Sequence, residues 1–136
     1  MSQVKRRVAR GSDPASAMRE VCLLIGRGGV ILWADASTSP VALPDSRTRW
    51  EAIWHHRGEL EEIAHSHPRG PSAFSHEDET TMEAIDAALG RALRYSVVAP
   101  RVVIARVDGN TVEVIPEPWW AGLLRLASGM RQGDKT

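Results

Sequence analysis

His65 and His67 stand two residues apart, and a Pro/Gly-rich loop then leads to Ser75-x-x-Asp78. Imidazole nitrogens and a carboxylate oxygen are the donors of a catalytic zinc site, where three protein groups leave a fourth position open. The segment Glu61 to His67 reads as a strand stopped by Pro68. Side chains alternate faces along a strand, so Ile63, His65 and His67 share one face and Ala64 and Ser66 the other. Both imidazoles therefore point the same way. Ser75-x-x-Asp78 is also an ordinary capping box with Asp in place of Glu. Under that reading the stretch is a strand, a loop and a capped helix, with no chemistry.

The helix that follows bears on the choice. Its pattern runs from His76 to Leu93, with Met82, Ile85, Leu89 and Leu93 as the buried stripe. Asp78 lies four residues before Met82, on the same stripe, and so aims at the sheet. A buried carboxylate without a partner is costly. One Zn²⁺ per chain, held by His65, His67 and Asp78, satisfies all three groups. Such a site also needs a base for water. Glu20 is the candidate, at the mouth of the apolar run Val21-Cys22-Leu23-Leu24-Ile25. Its ordinary reading is the solvated end of a short helix, and the two readings stand about even.

These groups must be positioned by a small domain. Val21–Ile25 and Val30–Ala36 read as strands around the turn Gly26-Arg27-Gly28-Gly29. Gln3–Arg10 alternates like an edge strand, and Ser12-Asp13-Pro14 opens a helix over about 13–20. Ser37–Arg47 is a loop. Trp50, Ile53, Trp54 and Arg57 space like a helix face that ends near Gly58. Strands follow at Tyr95–Ala99, Arg101–Val107 and Thr111–Ile115, the last two joined by Asp108-Gly109-Asn110. Pro118-Trp119-Trp120 opens a C-terminal helix, and the tail from Gly129 is expected to fray. The Trp50/Trp54 and Trp119/Trp120 pairs are expected in packing. The sum is an α/β (α+β) domain over 1–136, with a mixed, mostly antiparallel sheet flanked by helices.

The 136 residues fit one domain, and the formal net charge of zero argues against a nucleic-acid partner. The one cysteine, Cys22, excludes an internal disulfide, which leaves His and carboxylates as metal ligands. No apolar run approaches a membrane span, and the basic N-terminus lacks a signal-peptide core, so a cytoplasmic location is expected.

Glu20, His65-Ser66-His67, seven residues and Ser75-x-x-Asp78 resemble the JAMM motif of the JAB/MPN zinc metallopeptidases, and EVCLLIG resembles that family's opening strand, with Leu23 where Gly is usual. The resemblance covers about residues 3 to 128 and is closest to the compact prokaryotic type. It implies the JAB fold, with a cytidine-deaminase-like layout, and a zinc-dependent, deubiquitinase-like isopeptidase. His65, His67 and Asp78 would bind the metal. Glu20 would move the proton from water to the leaving amine, and Ser75 would steady the oxyanion. The implied substrate is a ubiquitin-like or sulfur-carrier protein ending in Gly-Gly, one setting being a bacterial conjugation pathway in antiphage defence. The rival is a catalytically silent scaffold of the same fold.

Overall fold

A computed structural model of the chain describes residues 18–37 and 46–130. The strand expected over Gln3–Arg10 and most of the helix expected over 13–20 lie outside them. The elements are β1 (Val21–Gly26), β2 (Ile31–Ala36), α1 (Arg47–His55), β3 (Leu60–Ser66), α2 (His76–Leu89), β4 (Arg94–Val98), β5 (Val103–Val107), β6 (Asn110–Glu113) and α3 (Trp119–Ala127). The strands form one sheet in the order β2-β1-β3-β4-β5-β6. Every neighbouring pair is antiparallel except β3–β4. A parallel pair needs a long crossover, and α2 supplies it. The fold is thus the mixed, mostly antiparallel α+β arrangement expected.

The sheet is covered on both faces. On one face Cys22, Leu24, Ile63 and Tyr95 meet Ala52 and Ile53 of α1 and Met82 and Ile85 of α2. On the other, Val21, Leu23, Ile25, Ala64, Val98 and Val103 meet Trp120, Ala121 and Leu124 of α3. This double cover explains why β1 is buried along its whole length and reads as a continuous apolar run rather than an alternating one. Leu124 is fully buried at the centre of the α3 contact. Leu124→Ala is expected to cost about 2–5 kcal/mol, read as a lowered urea midpoint with unchanged slope. A loss below about 0.5 kcal/mol would mean that α3 is not locked onto the sheet.

Several boundaries differ from expectation. The helix after Ser75 ends at Leu89, not Leu93, because Gly90 turns left-handed at φ 74° as its cap. Leu93 still reaches the core, from the turn before β4, where its N–H donates to Asp86 Oδ1 at 3.1 Å. Met18, Arg19 and Glu20 are not helical, so Glu20 is no helix end. Trp120 packs inside, whereas Trp119 is 64% and Trp54 53% exposed, against the expectation that both pairs pack. The tail is ordered through Met130, which is buried and donates its N–H to Arg125 O; residues 131–136 lie outside the described residues. No helix among the described residues is long and apolar enough to cross a membrane.

Candidate metal centre

The site forms where the end of β3, the start of β1 and the first turn of α2 meet. In the β1–β3 register Cys22 faces His65. Two residues further along each antiparallel strand, Glu20 falls opposite His67. Period-two alternation puts Glu20, Cys22, His65 and His67 on one face, the face that α2 covers. His67 lies just past β3, yet its N–H donates to Val98 O at 2.9 Å and prolongs the ladder. Both expected imidazoles thus share a face and an end of the sheet.

The donor atoms converge. His65 Nε2 and His67 Nε2 are 3.1 Å apart. Asp78 Oδ2 lies 3.3 Å from the first and 3.5 Å from the second. A tetrahedral zinc with bonds of about 2.0–2.1 Å has donor–donor edges of about 3.3–3.4 Å. The three edges, 3.1–3.5 Å, bracket that value. Glu20, His65 and His67 also form a cluster whose ligand atoms lie within 4.8 Å of one another. Glu20 thus lies beside the two imidazoles, and the tightest triangle is the one made by His65, His67 and Asp78.

The tautomer of His67 follows from its other nitrogen. Nδ1–H donates to the Pro71 carbonyl at 2.9 Å. A carbonyl only accepts, so neutral His67 keeps its Nε2 lone pair for the cluster. Such outer contacts orient metal-ligating imidazoles. Asp78 is held equally firmly. Its Oδ2 accepts the Ser75 N–H at 2.8 Å, and its own N–H donates to Ser75 Oγ at 3.0 Å. The capping box and the inward carboxylate, alternatives at the level of sequence, are one structure. The Ser75 hydroxyl uses its oxygen on the helix, and among the described residues its own O–H is left as a donor.

Electrostatics favour a cation here. For Asp78, burial raises the pKa, but hydrogen bonds from His65 and His67, the His65 charge and the Ser75 N–H outweigh it and hold the carboxyl well below its usual range. For His67, burial lowers the pKa, but the bonds to Asp78 and Pro71 and the charges of Glu20 and Asp78 raise it overall. Glu20 is only 6% exposed. Burial pushes its carboxyl up, and Asp78 adds to this against the pull of the two imidazoles.

Sequence reasoning missed what holds Glu20 in place. Ser66 Oγ, fully buried on the opposite face, accepts the Val21 N–H at 2.9 Å. The Glu20 carbonyl accepts the Ser37 N–H at 2.8 Å. The start of β1 is thereby pinned to β3 and to the residue after β2. Ser66→Ala leaves a buried N–H without a partner and is expected to cost about 1–3 kcal/mol in a denaturation curve. An unchanged midpoint would show that Ser66 does not hold this junction. The small polar residue between the histidines was the available signal.

A mixed α+β sheet with two imidazoles and two carboxylates converging at one end defines the class. The chain belongs to the prokaryotic homologues of the JAB domain, whose family model matches residues 5–121. The wider JAB domain family includes metallohydrolases. No curated protein matches the chain.

Proposed function

We propose that the chain is a zinc metallopeptidase that hydrolyses the amide bond after the C-terminal Gly of a ubiquitin-like or sulfur-carrier protein. The observation that carries the metal and the hydrolysis is the donor triangle of His65, His67 and Asp78, with edges of 3.1–3.5 Å, beside the buried Glu20. Three nitrogen and oxygen donors without sulfur suit catalytic zinc. Zinc held there supplies Lewis acidity, which polarises a carbonyl and acidifies water.

The chain's own groups supply the rest. Glu20 is buried beside the donors, and burial raises its pKa, the direction that makes a carboxylate a stronger proton acceptor. It receives the proton of the attacking water and returns it to the leaving amine. Water adds across the amide, giving a carboxylate and an amine. The O–H of Ser75 donates to the oxyanion as it develops. A donor in that role is worth about 2.7–4 kcal/mol of barrier.

The substrate class rests on the approach to the site and on the family resemblance. His67 is followed directly by Pro68 and the Arg69-Gly70-Pro71 loop, and α2 starts only at His76. A tail reaching the cluster would pass between a strand end and a helix start, where glycines next to the scissile bond take the least space. In a fusion of a Gly-Gly carrier protein to a short reporter, changing the last Gly to Val or Leu is expected to lower cleavage at least about 100-fold. Equal cleavage of both fusions would remove the glycine preference and favour a general peptidase.

A further inference from the structure

The first turn of α2 is gripped from a third element, β5. Phe74 and Glu79 flank Ser75–Asp78 on either side, and Arg106 bonds Glu79 and lies over Phe74 at the outer cation–π range. Its Nη2 donates to Glu79 Oε2 at 3.1 Å, and its guanidinium carbon lies 6.0 Å from the centre of the Phe74 ring. The register explains how it reaches: Ile63 faces Tyr95 and Tyr95 faces Arg106, so Arg106 shares the α2-covered face of the sheet. Phe74 in turn packs against the core beneath α2.

The side chain is placed there at a cost. Arg106 Nε is buried with no hydrogen-bond partner among the described residues, and an unpaired buried donor is unfavourable. The ion pair itself is partly exposed, at 26% for Arg106 and 46% for Glu79, so it adds little to global stability. Its effect is on the four residues it brackets. Asp78 Oδ2 meets both imidazoles only if the first turn keeps its place, and a shift of a few tenths of an ångström would open the donor triangle.

We propose that Arg106 is a positioning residue for the metal, holding Phe74 and Glu79 so that Asp78 stays in register with His65 and His67. This rests on the metal reading above. The test is zinc affinity, measured by competition with a chromogenic chelator on the full, initially zinc-free chain. Arg106→Met is expected to weaken zinc by about tenfold, the lower end of what outer partners of a metal site cost, while cooperative melting persists. Glu79→Gln, a change of charge but not of size at a half-buried position, is expected to weaken it similarly. The double variant should be no weaker than the weaker single one, because both act through one contact. Arg106→Lys restores most of the affinity by keeping the charge. Arg94→Met, which breaks the Arg94–Glu62 pair away from α2, should leave affinity unchanged.

Affinity in both Arg106→Met and Glu79→Gln within about twofold of wild type would overturn the role of Arg106 and leave the metal site intact. The role also falls if Arg94→Met loses as much, or if Arg106→Lys is as weak as Arg106→Met. Failure of the wild type to bind zinc would instead bring down the metal reading, and this inference with it.

Discussion

His67→Ala is expected to lower the zinc carried by the purified, zinc-loaded chain from about one equivalent to a small fraction of one. His67 supplies one of three donors, its side chain is 8% exposed, and Pro71 fixes its tautomer. An alanine there leaves His65 and Asp78 of the donor triangle, with Glu20 beside them. The loss should exceed the roughly 10–100-fold that an outer partner of a metal costs. Removing the imidazole also takes a hydrogen-bonding partner from Asp78, so the zinc-free variant gains nothing in compensation. His76→Ala is the matched control: it removes an exposed imidazole in the first turn of α2 and should keep the wild-type zinc content. Elemental analysis after exhaustive dialysis reads both. Wild-type zinc content in His67→Ala would place the metal elsewhere.

Glu20→Gln is expected to keep the zinc and lose the hydrolysis, by about 10²–10⁴-fold in single-turnover cleavage of the Gly-Gly fusion. The substitution preserves size and removes the proton-accepting oxygen. Glu20 is buried, the peptide that joins it to Val21 is tied by Ser37 and Ser66, and the amide should occupy the same place. Glu20→Ala should keep zinc as well, since the donor triangle is complete without it. Normal cleavage would remove Glu20 as the base. Loss of zinc would make it a ligand rather than a proton carrier.

The donor set was legible because each part is local. Two-residue spacing on a strand fixes the faces of His65 and His67, and four-residue spacing on a helix sets Asp78 on the stripe of Met82. The place of Glu20 at the mouth of an apolar run marks it as the candidate base, and family resemblance supports that and adds Ser75. The location of Glu20 was not legible, because it depends on the β1–β3 register, a pairing across more than forty residues of chain (Cys22 to His65). Ser66 and Arg106 were missed for the same reason: their partners, Val21 and Glu79, come from other elements. The end of α2 was overrun because Leu93 keeps the apolar rhythm past Gly90, while the backbone has already turned. Trp119 and Trp54 were assigned to packing by type. The faces that α3 and α1 present are already filled by Trp120, Ala121 and Leu124 and by Ala52 and Ile53.

The most direct measurement is zinc K-edge X-ray absorption on the zinc-loaded chain. Zinc held by His65, His67 and Asp78 gives about four nitrogen or oxygen neighbours at about 2.0–2.1 Å, with the outer scattering of two imidazoles. His65→Ala and His67→Ala should each abolish that pattern. A sulfur neighbour at about 2.3 Å, pointing to Cys22, would contradict it. So would an unchanged spectrum in either histidine variant, or a wild-type chain that binds no zinc.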